Sequence, residues 1–163
     1  MPITGTRNYF EDFAPGQVFH HDRGRTMTEM DNVLITHLST NTAASHFNVE
    51  FMKNYSFGYF PERLVNGTVT ISLVVGLTSQ DLSENAVADL GYTGIRLSEP
   101  MFHGNSLHAE SEVLRVEDSP DRPDCGIVHY RFRGFNEKDK EVVVGERTVL
   151  VKKRQYWAER DKD

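Results

Sequence analysis

The chain has 163 residues and a formal net charge of −6, because 24 aspartates and glutamates outnumber 18 lysines and arginines. Its composition is too apolar for intrinsic disorder, with 38% hydrophobic and 10% aromatic residues, and its length suits a single globular domain over residues 1–163. The negative charge argues against nucleic acid as a partner.

Two further features concern location. No apolar stretch approaches the roughly 20 residues that cross a bilayer, so no membrane association is expected. Cys125 is the single cysteine, and residues 1–12 lack the pattern of a signal peptide. We therefore expect a reducing, cytoplasmic setting.

The first 40 residues predict a strand followed by a helix. A Pro15-Gly16 turn signal precedes a polar and apolar segment at residues 17–27, which is typical of a first strand. Thr28 and Asp31 form a capping pattern ahead of apolar residues at helical spacing, so a helix is expected over residues 29–40.

The segment at residues 41–66 has no clear periodicity. Gly58 and Pro61 favour turns, and large aromatic side chains are dense around them. This pattern indicates an ordered irregular loop, which is usually functional. The aromatic residues are Phe47, Phe51, Tyr55, Phe57, Tyr59 and Phe60.

The run at residues 67–81 is apolar on every side. Its valines, isoleucine and threonines would suit a strand, but about fifteen residues exceed a typical strand, so we predict a buried helix roughly 22 Å long. After Asn85 the apolar residues alternate with polar ones, which predicts four half-buried antiparallel strands. Together with the first strand and two helices, these elements predict an α+β domain with a curved antiparallel sheet around one apolar helix.

His46 is the best candidate for a general acid or base. Imidazole titrates near physiological pH, and this histidine follows the polar residues that begin at Asn41. The two side chains would lie about 140° apart on a continuous helix, so they converge only where a helix ends between them. The structural alternative is a histidine packed between Phe47 and Phe51.

Gly67 is the second candidate, because it opens the predicted buried helix. Backbone N–H groups are free at a helix start and can stabilise a carbonyl oxygen that gains charge, and a glycine allows close approach. Val65 and Asn66, which precede it, are the expected substrate contacts. An ordinary asparagine N-cap is the structural alternative.

In this order, the two stretches resemble the MaoC-like dehydratase family, the (R)-specific enoyl-CoA hydratases of the hot-dog fold. The likeness extends to residues 9–13 with Gly16, to residues 28–31 and to residues 100–105, and so covers nearly the whole chain. Within the family, the Asn-Thr-Ala ahead of His-Phe-Asn and the Gly-Ile-Arg-Leu at residues 94–97 are most similar to mesaconyl-CoA or itaconyl-CoA hydratases.

The resemblance implies a hydro-lyase that adds water to, or removes it from, a short-chain 2-enoyl-CoA thioester with a branched or dicarboxylic acyl group. It also implies a homodimer or higher homo-oligomer and no cofactor or metal beyond the coenzyme A of the substrate. His46 matches the family histidine, but Asn41 stands where the family has its catalytic aspartate. An amide can hold a water molecule but cannot take its proton at neutral pH.

Three interpretations stay open for Asn41. His46 acts as the only base while Asn41 orients the water, another carboxylate takes the missing role, or the protein binds acyl-CoA without turnover. An acyl-CoA thioesterase is a further alternative, since hot-dog folds host that activity too. The acids near the two key stretches in sequence are Asp31, Glu50 and Glu62.

Among the basic residues, Arg63 and Arg96 are the candidates for binding the distal carboxylate of a dicarboxylic acyl group, with surface ion pairing as the alternative. The basic run at residues 152–154 suits either the phosphates of coenzyme A or a solvated strand end. No histidine has a second ligand at metal spacing, so surface roles are expected for the remaining candidates. These are His20, His21, His103 and His108.

Overall fold

The computed structural model describes residues 8–55, 59–60 and 62–160. Within them the strands are β1 (Val18–His20), β2 (Arg25–Thr26), β3 (Ala86–Leu97), β4 (Ser106–Asp118), β5 (Cys125–Asn136) and β6 (Glu141–Lys152). The helices are α1 (Glu29–Leu38), α2 (Ala44–Phe47), α3 (Val49–Tyr55), α4 (Gly67–Leu82) and α5 (Arg154–Trp157), and a 3-10 turn spans Phe10–Asp12.

The strands form one antiparallel sheet in the order β1-β4-β5-β6-β3, with β2 also paired to β4. Strands β4, β5 and β6 alternate buried and partly exposed residues along much of their length. Their side chains therefore fill the core on one face and meet solvent on the other. Strand β3 pairs with β6 and has no second neighbour within the described chain.

Helix α4 lies against the buried face of the sheet and supplies the centre of the core. Val69, Val74 and Leu82 are buried in a cluster with the inward side chains of the strands. Each such side chain contributes about 1.5–3 kcal/mol by leaving water. A Cβ at Gly134 in β5 would lie 2.4 Å from Val74 Cγ2, so this glycine lets the helix approach the sheet closely.

This arrangement confirms the predicted hot-dog fold, with a buried helix that begins at Gly67 and a curved antiparallel sheet. The first strand was predicted as continuous, which is wrong. His20 lies opposite Glu110 and Arg25 opposite Leu107, so five residues along one strand match three along the other. The polar residues between β1 and β2 take up the difference as a bulge.

Two other local predictions need correction. Residues 41–66 contain the short helices α2 and α3, and α5 follows the last strand. Helices of one or two turns leave too few apolar repeats to show a period. Phe57, Gly58 and Pro61 of the predicted loop lie outside the described residues.

That the whole chain forms one domain stays a prediction. No helix in the described ranges is long and apolar enough to cross a membrane.

His21 is buried, so the prediction that it lies at the surface was wrong. Its Nδ1 donates to Asp81 Oδ2 at 2.5 Å, and its Nε2 accepts from Ser111 Oγ at 3.0 Å. Burial lowers the pKa of this imidazole below its usual value, although the hydrogen bond that it donates to Asp81 opposes the change. The three residues form a hydrogen-bonded chain beneath the last turn of α4.

Candidate active site

His46 is held by its backbone surroundings in one tautomer. It lies in α2, and its Nδ1 is 2.9 Å from the carbonyl oxygen of Leu64. A carbonyl oxygen only accepts hydrogen bonds, so Nδ1 carries the proton and Nε2 presents a lone pair. No partner for Nε2 exists in the part of the chain that the structure describes. The imidazole is therefore arranged to accept a proton.

A buried amide, Asn32, fixes the position of His46 relative to the start of α4. Its side chain is 1% exposed. Its Nδ2 donates to the carbonyl oxygens of His46 at 3.2 Å and of Leu64 at 3.4 Å, while its Oδ1 accepts from the N–H of Asn66 at 2.8 Å. One residue of α1 thus joins α2, the following loop and the amino end of α4.

At the amino end of α4, the backbone N–H of Gly67 is left free. Its neighbours are all bonded: Asn66 N–H to Asn32, Thr68 N–H to Asn66 Oδ1 at 3.0 Å, and Val69 N–H to Asn66 O at 2.9 Å. No acceptor among the described residues meets Gly67 N–H. A free N–H at the positive end of a helix can stabilise a developing oxyanion.

Leu97, near the end of β3, covers this glycine. A Cβ added to Gly67 would come within 2.4 Å of Leu97 Cδ1. Any side chain there would displace the leucine or fill the space in front of the N–H. The close approach explains why a glycine suits this position.

His46 and Gly67 face the same cavity, which has a volume of about 330 Å³. It is mostly apolar and large enough for a short acyl thioester. The imidazole and the helix amino end can therefore contact one bound molecule. The lining residues are His46, Leu64, Val65, Gly67, Thr70, Leu97, Ser98, Glu99, Pro100 and Met101.

Of the other predicted site residues, Val65 lines this cavity, whereas Asn41 does not. Asn41 Oδ1 accepts from the N–H of Ala43 at 3.0 Å and so shapes the turn before α2. Asn66 is buried and uses its Oδ1 to cap α4, where it accepts from the N–H and the hydroxyl of Thr68. The geometry assigns both amides to backbone capping and gives no support to a direct role in orienting water or binding substrate.

The two predicted arginines also lie away from the cavity. Arg63 pairs with Glu29. Arg96 is exposed on β3 next to Leu97, and because successive side chains of a strand point to opposite faces, it points away from the side that Leu97 covers. No lysine or arginine among the described residues lines the cavity. A distal carboxylate would need a cation from another chain or region.

Lys153 and Arg154, the basic residues after β6, make contacts within the folded chain. Lys153 pairs with Asp118, and Arg154 pairs with Asp12 and donates its N–H to Glu11. These contacts match the strand-end interpretation of the run at residues 152–154. In the described ranges, no group of three or more histidine, cysteine, aspartate or glutamate side chains is placed to hold a metal ion. The absence of a cofactor stays a prediction.

Comparison with known sequences identifies the family of this chain. The sequence profile described as mesaconyl-CoA hydratase matches residues 4–161. The chain belongs to this family. It is 32% identical over 151 residues to beta-methylmalyl-CoA dehydratase of Chloroflexus aurantiacus, a match that covers 93% of this chain and 42% of the relative. It is equally similar to mesaconyl-CoA hydratase of Cereibacter sphaeroides, with 93% and 43% covered. These matches confirm the predicted resemblance.

Solved structures support the fold. A MaoC domain protein dehydratase of Chloroflexus aurantiacus superimposes with a TM-score of 0.82 at 32% identity, over 90% of this chain and 41% of the other. A Mycobacterium tuberculosis protein described as a double hot-dog fold gives a TM-score of 0.80 at 19% identity, over 94% and 46%. The chain spans about two fifths of the length of the curated relatives it matches.

Glu99 and Asn32 are the site residues that the sequence did not reveal. Glu99 lies more than 30 positions from either predicted stretch, and only the fold brings it to the cavity. Asn32 had one local signal, since it falls on the same helical face as Ile35 and Thr36. A buried amide needs partners, and here those partners organise the site.

Proposed function

We propose that this protein adds water to, or removes it from, a short-chain 2-enoyl-CoA thioester. The observation that carries the proposal is the cavity that His46 and Gly67 both line, because His46 Nε2 and Gly67 N–H have no partner among the described residues. The matched relatives are named for mesaconyl-CoA and β-methylmalyl-CoA, which supports a short, branched acyl group as substrate.

In the hydration direction, the thioester oxygen accepts a hydrogen bond from Gly67 N–H. Negative charge develops on this oxygen as the enolate forms, and the helix amino end stabilises it. His46 Nε2 takes one proton from water while the water oxygen bonds to C3, and the resulting imidazolium returns a proton to C2. The carbonyl oxygen of Leu64 holds Nδ1–H throughout, so the ring keeps its orientation.

The second part of the proposal is a homodimer. The unpaired edge of β3 and the outer face of α1 flank α4, and both carry exposed apolar side chains. A second copy seated there would pair the open edge and cover this surface. The match to a double hot-dog structure supports a paired arrangement. The exposed residues are Met30, Leu34 and Leu38 on α1 and Val87, Leu90, Tyr92, Ile95 and Leu97 on β3.

Sedimentation analysis tests the homodimer. We expect twice the chain mass for the wild type and a monomer for Leu90→Glu, because a charge would then be buried at the pairing edge. A wild-type monomer, or a complex that forms only with a different hot-dog chain, would contradict it.

We further place the protein in the cytoplasm, an inference that rests on its single cysteine.

The alternative function is acyl-CoA binding without turnover, which the replacement of an acid by Asn41 favours. Loss of the conjugated thioester absorbance of crotonyl-CoA and mesaconyl-CoA separates the two. We expect wild-type hydration, and a fall in kcat of about 100-fold to 10,000-fold for His46→Gln. His108→Gln, on a half-buried histidine outside the cavity, is the matched control and keeps wild-type activity.

Two outcomes would overturn the hydratase proposal. One is a wild-type protein that binds the enoyl thioesters but consumes none of them. The other is release of free coenzyme A thiol without hydration, which would identify a thioesterase.

A further inference from the structure

We propose that Glu99 supplies the carboxylate that the family pattern places at position 41. The inference rests on the proposed hydration, and its site is the cavity shared by His46 and Gly67. Glu99 is the one acidic residue among those that line this cavity in the described structure. The missing acid therefore has a replacement from a different part of the chain.

The end of β3 brings Glu99 to the same cavity as Leu97. The strand ends at Leu97, the chain bends at Glu99, and Pro100 follows. Leu97 and Glu99 both line the cavity, and Leu97 lies against Gly67. Glu99 therefore belongs to the wall that faces the helix amino end.

Hydrogen bonds on both sides fix this wall. Ser98 N–H donates to Val142 O at 3.0 Å, and Met101 O accepts from Val65 N–H at 2.9 Å. Val65 directly follows Leu64, whose carbonyl oxygen holds His46. The wall that carries Glu99 and the wall that carries His46 are thus joined through one backbone segment.

The Glu99 carboxylate has no hydrogen bond or ion pair to any described residue. The acids that the sequence brought forward are engaged elsewhere: Asp31 caps α1 and pairs with Arg25, and Glu50 pairs with Lys53. Neither lines the cavity. Glu62 borders a separate depression beside Phe102 and His103.

Glu99 positions the attacking water without changing its own protonation. One O–H of the water donates to the carboxylate, which turns the oxygen lone pair toward C3. The other O–H bond breaks, its proton passes to His46 Nε2, and the oxygen bonds to C3. The imidazolium then protonates C2, and the hydrogen held by Glu99 remains on the product hydroxyl. His46 and Glu99 both end as they began.

Steady-state hydration of crotonyl-CoA and mesaconyl-CoA by variants at this position tests the inference. We expect Glu99→Gln to lower kcat about 100-fold with KM and Tm unchanged, since the amide holds water less strongly and adds no bulk. Glu99→Asp recovers part of kcat, and formate restores part of the kcat of Glu99→Ala. Glu84→Gln, on another exposed and unpaired acid, is the control and keeps wild-type kcat.

The experiments distinguish a failure of the inference about Glu99 from a failure of the proposed function. If the wild type hydrates the thioester, His46→Gln does not, and Glu99→Gln keeps wild-type kcat, Glu99 has no role and the hydratase proposal stands. A wild type without hydratase activity overturns both. Release of thiol that depends on Glu99, without hydration, also overturns both.

Discussion

The two ends of helix α4 use polar groups in opposite ways. At the carboxyl end, His21, Asp81 and Ser111 form a buried chain of hydrogen bonds, and only Asp81 Oδ1 lacks a partner among the described residues. At the amino end, His46 Nε2 and Gly67 N–H lie beside a cavity and have no partner in the part of the chain that the structure describes. Paired polar groups stabilise the fold, whereas polar groups left free at a cavity are available to a ligand.

Near the carboxyl end, the same principle applies to Arg147. It donates Nε and Nη2 to both oxygens of Asp89, at 2.6 and 2.9 Å, and Nη1 to the hydroxyl of Tyr130 at 2.9 Å. The guanidinium holds the pKa of the Asp89 carboxyl below its usual value. Its donors are committed to the fold, which makes it a structural cation and not a substrate contact.

After His46→Gln, the largest effect is expected from removal of the free N–H at the amino end. Gly67→Pro deletes the donor at the first helical position, where proline is well tolerated, and Asn66 already has an extended backbone. We expect kcat for enoyl-CoA hydration to fall about 100-fold to 1,000-fold.

Gly67→Ala is the control for that change, because its methyl group also meets Leu97 but its N–H remains. It should lose less activity than Gly67→Pro. Equal losses in the two variants would assign the effect to crowding and not to the donor.

The next effect concerns the amide that joins the amino-end groups. Asn32→Leu leaves the Asn66 N–H and the His46 carbonyl oxygen without their partner and removes one of two bonds to Leu64 O, so we expect a loss of about 1–3 kcal/mol in the free energy of unfolding. We also expect a fall in kcat, because His46 and Gly67 lose their common support. Urea unfolding and hydration rates measure the two effects.

Thr36→Val is the matched control, since Thr36 is equally buried one turn along α1 and bonds only within that helix at its hydroxyl. It should lower stability without a comparable change in kcat. A wild-type kcat for a folded Asn32→Leu protein would contradict the positioning role.

A smaller effect concerns the carboxyl end of α4 and the dependence of the free energy of unfolding on pH. Burial lowers the pKa of His21 in the folded state below the usual histidine value of 6.5. Below about pH 6.5 the unfolded chain therefore binds a proton that the folded chain does not, and stability decreases as the pH falls, by up to about 1.4 kcal/mol per pH unit. This component levels off once the pH passes below the folded pKa.

Urea unfolding between pH 7.5 and pH 5 measures this dependence, over limits chosen at about one unit on either side of the usual histidine pKa. His21→Gln removes the titrating group, so its stability should change less over the same interval. A His21→Gln protein with the wild-type dependence would assign the acid sensitivity to other groups.

The smallest effect is expected at Arg96. Its side chain lies on the opposite face of β3 from Leu97, so Arg96→Gln should leave KM and kcat for mesaconyl-CoA unchanged. A large rise in KM would show that Arg96 reaches a substrate, through a second copy of the chain.

The sequence predicted those parts of the fold and site that depend on local pattern. The apolar run from Gly67 predicted the central helix, and His46 followed from its residue type and the family resemblance. His21 was also within reach of the sequence, because it lies two residues after the buried Phe19 and shares its strand face. Glu99 could not be found from the sequence, since its place at the cavity depends on how β3 ends beside α4.

The central claim is that His46 and Gly67 touch one thioester. A crystal structure with butyryl-CoA, a saturated thioester that cannot be hydrated, tests it most directly. We expect the thioester oxygen about 2.7–3.1 Å from Gly67 N, and C3 within reach of His46 Nε2 through one water molecule. A thioester bound outside this cavity, or one whose oxygen faces away from Gly67, would contradict it.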